Sequence, residues 1–181
     1  MNASQKAEQK AEGKVAYIGK TDFTPLGEVW VALSEGGLIA VDLENDEKAL
    51  EKRVRSLGFT TLSFDPARTA AATRQISEYL QGKRKSFDLP IDWSVLRGFQ
   101  RQVLELTHQV PYGTVSTYGE LARRLGRPRA ARAVGRAQAT NPMPLVIPCH
   151  RVIGSDGGLH GYGAPGGLKT KAWLLDLEKR P

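Results

Sequence analysis

From Lys14 to Leu43 the chain alternates apolar and polar residues with the two-residue period of a half-buried strand. Val, Ile, Trp and Tyr fall at that spacing in KVAYIGKTDF and GEVWVALSEGGLIAVDL, and TPLGE and SEGG supply turn residues. The pattern predicts an antiparallel hairpin or a three-stranded meander. The period then changes. Asp46–Gly58 opens with acids, carries apolar residues at helical spacing and closes on glycine, which reads as a short helix. FTTLSFD fits a strand or a loop, and Ala67–Lys83 is a second amphipathic helix ended by Gly82. The polar, proline-containing stretch KRKSFDLPIDWSVLRG separates two differently composed halves and places a domain boundary near residue 90.

Beyond that boundary, Val95, Phe99, Val103, Leu104 and Leu106 lie at helical spacing over residues 94–110, and Pro111 stops the run. Thr117 and Glu120 form a capping box at the head of a helix that Gly126 ends. RPRAARAVGRAQATN then reads as a helix with Pro128 in its first turn and Asn141-Pro142 at its end. Two short helices joined by a tight glycine-containing turn describe a helix-turn-helix. PMPLVIPCHRVIG has the β-branched, extended character of a strand, and GGLKTKAWLLDLEKRP reads as a final helix with Trp173, Leu174 and Leu177 on its apolar face. The fold expected is α/β (α+β). A mixed sheet-and-helix domain covers 1–90, opening on a frayed polar tail over residues 1–13, and a mainly helical domain covers 91–181 with the helix-turn-helix and the cysteine strand.

Composition narrows the function. The chain has 181 residues, 40% of them apolar, enough for a packed core. No apolar stretch approaches the roughly 20 residues that span a bilayer, and the N-terminus carries no signal-like apolar segment. A soluble, cytoplasmic protein without membrane partners is expected. One cysteine excludes an internal disulfide and a cysteine-cluster zinc site, and His108, His150 and His160 lack ligand spacing. No metal and no cofactor are expected. The net charge of +7 is one-sided: residues 1–90 hold 13 basic and 13 acidic residues, whereas residues 91–181 hold 13 and 6. Six arginines and no acid lie between Arg123 and Arg136, with Ala and Gly between them on the second helix. Small residues let a backbone approach a nucleic-acid groove while Arg127, Arg129, Arg132 and Arg136 meet phosphates. The same composition serves an alanine-rich helix packed on its own core, with the arginines in solvent.

Cys149 poses the chemical question. A lone cysteine in an apolar run is most often a small buried hydrophobe. As a nucleophile it needs its thiolate, hence a base or a positive field, and His150 and Arg151 follow it directly. In an extended chain consecutive side chains face opposite ways, so His150 would reach the sulfur only through a water or another residue. A histidine base also needs an orienting group; Asp176 and Glu178 are the acids of the final helix, and the residues alone do not choose between them.

The stretch from Phe99 to Glu178 resembles the methylated-DNA–protein-cysteine methyltransferases, the O6-alkylguanine-DNA alkyltransferases, and NPMPLVIPCHRVIG carries their hallmark PCHR step. The resemblance implies minor-groove binding of duplex DNA by RAARAVGRA, flipping of an alkylated guanine, and irreversible transfer of its alkyl group to Cys149, with O4-alkylthymine as a further substrate. Flipping is needed because the alkylated oxygen lies inside the base stack. By resemblance, Arg132 enters the duplex, Tyr118 turns the phosphate backbone and protonates the leaving guanine, and Asn141 braces the turn before the active segment. Glu178 orients His150, which deprotonates Cys149 through a water. Val152, Ser155, Tyr162 and Pro144 belong to the base pocket and its lid, with Ser155 also against DNA. Zinc-bearing relatives place cysteine and histidine ligands in the N-terminal half, where residues 1–90 hold neither type. A monomer that reacts once is expected. The rival readings are a damage sensor that transfers nothing, a helix-turn-helix regulator, and a structural cysteine in an unrelated enzyme.

Overall fold

A computed structural model describes residues 13–180 of the chain. Nearly all of the polar tail read from the sequence lies outside the described residues. Strands β1 (Val15–Lys20), β2 (Trp30–Ser34) and β3 (Gly37–Asp42) form the expected antiparallel meander. Helix α1 (Glu47–Ser56) starts at Asp46, whose side chain accepts from the Lys48 N–H. It crosses over to β4 (Thr61–Phe64), which pairs parallel with β1 and completes a sheet of order β3-β2-β1-β4. FTTLSFD is therefore a strand. Helix α2 (Pro66–Leu80) follows, with Asp65 as its cap.

Both faces of this sheet are covered, which is why every residue of β3 is buried. Ala16, Ile18, Trp30, Ala32 and Ala40 face Leu50 and Val54 of α1. Val31, Leu38 and Val41 face the other way, into one core shared with Ile76 and Tyr79 of α2 and with Leu104, Met143, Ile147 and Leu174 from the C-terminal half. The two halves of the sequence thus pack as one body. Backbone bonds reinforce the union along the outer edge of β3: the Leu38 N–H donates to Pro90 O (2.8 Å), and the Val41 N–H donates to Pro142 O (2.8 Å).

In the C-terminal half the helix expected over residues 94–110 is broken. A single 3₁₀ turn (Trp93–Val95) is capped by Asp92, Leu96 is extended and buried, and α3 (Gly98–His108) begins only at Gly98, which takes a φ of +52°. Asp92 is held by the Ser34 hydroxyl (2.5 Å), and its backbone N–H pairs with Leu38 O (3.0 Å), so this stretch belongs to the sheet edge. The two-residue strand β5 (Ser116–Thr117) leads into α4 (Tyr118–Arg124), where both bonds of the Thr117–Glu120 capping box are present. Helix α5 (Ala131–Ala139) starts later than Pro128 suggested. The Ala130 N–H bonds back to Arg127 O (2.9 Å), so Pro128 and Arg129 are the central residues of a turn, where proline's fixed φ is equally at home. Helices α3, α4 and α5 close on Val103, Leu121, Ala122, Val134 and Ala137.

The segment before the cysteine is not the expected strand. Asn141 folds it into a compact turn: its side-chain oxygen accepts from the Met143 N–H (3.0 Å) and its side-chain nitrogen donates to Ile147 O (2.8 Å). Leu145, fully buried, takes a left-handed φ of +72°, and the Ile147 N–H reaches Met143 O (2.9 Å). Prolines at 142, 144 and 148 offer no N–H for a strand ladder. Cys149–Arg151 then form a 3₁₀ turn running into β6 (Val152–Ile153), which pairs parallel with β5. Helix α6 (Leu168–Glu178) ends the described fold, and its buried face carries two charged residues, Lys171 and Glu178. Among the described residues no helix is long and apolar enough to cross a membrane.

Candidate active site

Cys149 sits at the floor of a cleft of about 540 Å³, walled by Tyr118 at the head of α4, by Arg132, Gly135 and Ala139 along α5, and by the loop His160–Gly163. Cys149 is 7% exposed. A smaller cavity of about 60 Å³ also borders Cys149, lined by Asn141, Pro144 and Tyr162 among others. Burial pushes the thiol pKa up, opposed by the Asn141 side chain, the Lys171 charge and the backbone N–H groups of Cys149 and His150. At neutral pH the resting group is a thiol that needs a base.

His150 is fully buried, and its ring makes no hydrogen bond to Cys149. The opposite-face argument foresaw that separation from the wrong geometry, since the two residues share a 3₁₀ turn. Its Nε2 lies 2.8 Å from Glu178 Oε1. Of the two acids of the final helix, Glu178 is the one in contact with the imidazole, and Asp176 is solvent-exposed. Burial alone would raise the Glu178 carboxyl, but hydrogen bonds from His150, Arg151 and Tyr79 hold it at about 2. A carboxylate ionised at neutral pH can only accept, so the 2.8 Å contact puts the ring proton on Nε2. Nδ1 is then the unprotonated nitrogen, and it is buried with no partner among the described residues. Burial also lowers the His150 pKa, with Glu178 opposing and Arg151 and Lys171 reinforcing the shift. The ring at rest is a neutral base with a free lone pair.

The carboxylate is held from several directions. Arg151, read as a possible positive field for the thiol, instead turns to Glu178, with Nε 2.9 Å from Oε2 and Nη2 2.9 Å from Oε1, and its Nη1 donates to Val110 O (2.6 Å). The Gly113 N–H donates to Oε2 (3.0 Å). From α2 of the N-terminal half, the Tyr79 hydroxyl donates to Oε1 (2.5 Å). Sequence reasoning missed Tyr79, Gly113 and Lys171. Lys171 was within reach: residues 171, 174 and 178 share one helical face, so an acid needed on the inner side brings a buried lysine with it. Its Nζ is 2.7 Å from Val152 O. Nothing local in the sequence marks Tyr79, which is 99 residues from Glu178.

The other expected site residues scatter more widely. Tyr118 donates its hydroxyl to His160 O in the loop (2.8 Å), and burial followed by the Cys149 charge raises its pKa, keeping it a proton carrier. Tyr162 reaches both cavities. Val152 is buried with its carbonyl taken up by Lys171, and Ser155 stands on an exposed turn outside the cleft. Arg127, Arg129, Arg132 and Arg136 are exposed, and none makes an ion pair among the described residues. Arg127 lies over the Phe99 ring. Arg132 stands at the cleft rim. Among the described residues there is no cluster of three potential metal ligands.

Two family models match the chain: the 6-O-methylguanine DNA methyltransferase ribonuclease-like domain over residues 17–93, and the DNA binding domain of the same methyltransferase over residues 98–180. A methylated-DNA–protein-cysteine methyltransferase of Mycolicibacterium paratuberculosis is 45% identical over 129 residues, 65% of this chain and 75% of the relative. One from Methanosarcina barkeri is 40% identical over 156 residues, 86% of this chain and 93% of its own. The crystal structure of Mycobacterium tuberculosis OGT in complex with DNA superposes with a TM-score of 0.71 at 34% identity, covering 91% of this chain and 92% of that one. By both halves of its sequence and by its fold, the chain belongs to the 6-O-methylguanine DNA methyltransferase family.

Proposed function

We propose that the protein repairs alkylated DNA directly, taking the alkyl group of O6-alkylguanine in duplex DNA onto Cys149. The observation that carries this reading is the His150 ring: its Nε2–H is fixed on Glu178, and its free Nδ1 is left for the thiol. In the reaction Cys149 gives its proton to Nδ1 through a bridging water, and the sulfur attacks the alkyl carbon. The bond from that carbon to O6 breaks, and its electron pair leaves with the guanine. Tyr118 protonates the departing base and recovers a proton from the imidazolium by way of solvent, so the thiol proton ends on guanine. The product is a thioether with no group placed to hydrolyse it, and each molecule acts once. The unpaired arginines of the 127–136 segment hold the phosphates, and Arg132 at the rim enters the duplex as the base turns out into the cleft. The protein acts as a monomer in the cytoplasm and needs no cofactor.

The deciding experiment is mass spectrometry after incubation with a duplex containing O6-methylguanine. The peptide carrying Cys149 is expected to gain one methyl group, and only one; an unmodified peptide from a protein that binds the duplex would support the sensor reading instead. Arg132→Ala is expected to weaken binding to damaged and undamaged duplex alike, by about 1–3 kcal/mol. Fluorescence anisotropy on both duplexes checks this, and a loss confined to one base sequence would point to a regulator.

A further inference from the structure

Tyr79 lies at the C-terminal end of α2, fully buried, in the half of the chain that carries no arginine-rich segment and no nucleophile. Its ring packs on Phe87 (5.1 Å between centroids) and edge-on to Tyr112 (6.3 Å). A phenylalanine would fill that space equally well, so packing does not require the hydroxyl. The hydroxyl instead donates to Glu178 Oε1 (2.5 Å), and its oxygen lies 3.1 Å from His150 Nε2. The Nε2–H of His150 therefore falls between two oxygens, one from α6 and one from α2.

We propose that Tyr79 is a positioning residue for the alkyl-transfer reaction, its hydroxyl locking the Glu178 carboxylate and the Nε2 edge of His150 so that Nδ1 stays turned toward the thiol. The inference rests on the function proposed above and gives the N-terminal half a part in the chemistry. Two features of the geometry support it. Arg151 spans both carboxylate oxygens and the Gly113 N–H holds Oε2, whereas the Tyr79 hydroxyl meets both Oε1, the oxygen that sets the ring, and the Nε2 edge of the ring itself. Burial, and then the Glu178 charge, raise the Tyr79 pKa far above that of an ordinary phenol, so it stays a donor throughout the working range. The charged and titratable groups around His150 are Tyr79 from α2, Glu178 and Lys171 from α6, and Cys149 and Arg151 on its own turn. Among these, Tyr79 is the neutral donor whose removal leaves the charge count unchanged.

The test is Tyr79→Phe in the full chain, read in two ways. In the free protein, Cys149 is alkylated with iodoacetamide from about pH 5 to about pH 9. With duplex containing O6-methylguanine, single-turnover methyl transfer and duplex affinity are measured separately. The variant is expected to lose about tenfold in both rates near neutral pH, with duplex affinity unchanged within about twofold. Without the competing O–H donor, more of the Oε1 charge falls on the imidazole and stabilises its protonated form. The acidic limb of the iodoacetamide profile is therefore expected to move to higher pH. A purely structural tyrosine would lower the melting temperature and leave that limb in place; rates and limb equal to the wild type would overturn the proposal. In the wild type, the ¹⁵N resonances of His150 are expected to show a single neutral tautomer protonated at Nε2, and a mixture of tautomers would equally overturn it. A wild type that reacts with iodoacetamide and takes no methyl from DNA would defeat the alkyl-transfer reading, while the iodoacetamide profiles still decide the part of Tyr79.

Discussion

Cys149→Ser is expected to lower methyl transfer on the order of 1,000-fold or more while leaving duplex affinity within about twofold of wild type. The size of the effect follows from the resting protonation states. Burial raises the thiol pKa and lowers that of His150, so no thiolate–imidazolium pair is stored in the free protein, and the proton moves only as the sulfur attacks. A buried neutral imidazole is a weak base. It can share the proton of a thiol, but a serine hydroxyl is far less acidic and its oxygen less polarisable. The substitution barely changes volume, and the residues proposed to meet DNA lie on α4, on α5 and in the turn between them, so binding has no reason to fail. The same protonation states fix the pH dependence of the wild type. The base works while neutral, so the transfer rate is lost as pH falls through a His150 pKa below its ordinary value of about 6.5. Transfer of a labelled methyl group, with anisotropy on the same duplex, checks both statements. Substantial transfer by the serine variant would remove Cys149 from the mechanism.

Glu178→Gln carries the second large effect, on stability and rate together. The carboxylate is 1% exposed and accepts hydrogen bonds from His150, Arg151, Tyr79 and the Gly113 N–H. Glutamine keeps the size but leaves the Arg151 guanidinium, itself 8% exposed, as a buried cation without its anion. Breaking such a pair from one side costs about 3–5 kcal/mol, which for a chain of this length lowers the melting temperature by about 10 °C. The loss depends on pH with a definite sign. The Glu178 carboxyl titrates at about 2 in the folded protein against 4.5 ordinarily. Its contribution, roughly 3 kcal/mol, is complete above pH ~4.5 and disappears as pH falls toward about 2. The gap between the two melting curves should therefore narrow over that window, and a constant gap would show that the charge is not what the variant removes. The rate should fall as well, by roughly 10²–10⁴-fold, because an amide, unlike the acceptor-only carboxylate, can turn its NH2 toward the imidazole and reverse its tautomer.

Local signals were legible in the sequence, and long-range ones were not. The meander of β1–β3 and the Thr117–Glu120 capping box depend on neighbours in the chain, and both stand as read. The cysteine segment misled because Val146-Ile147 among prolines looks like a strand. Its shape comes instead from the Asn141 side chain, which replaces the ladder with bonds to Met143 and Ile147. The break at Leu96–Gly98 was hidden for the same kind of reason, since Asp92 is recruited by Ser34 of β2, 58 residues away. At the site, Cys149 and His150 came from the motif, and only the family resemblance preferred Glu178 to Asp176. Arg151 was noticed and given the wrong partner, and Tyr79 gave no local sign, because only the packing of α2 against the C-terminal half brings it to Glu178.

The bond from the Val41 N–H to Pro142 O joins the edge strand of the sheet to the residue that follows Asn141, seven positions before the nucleophile. With one core running through both halves, the sheet cannot melt while the reactive turn persists. A destabilising change in β3 would be paid in reactive protein: if each molecule acts once, as proposed above, the repair capacity of a cell is the number of folded copies, and that number is set as much by Leu38 and Val41 as by Cys149.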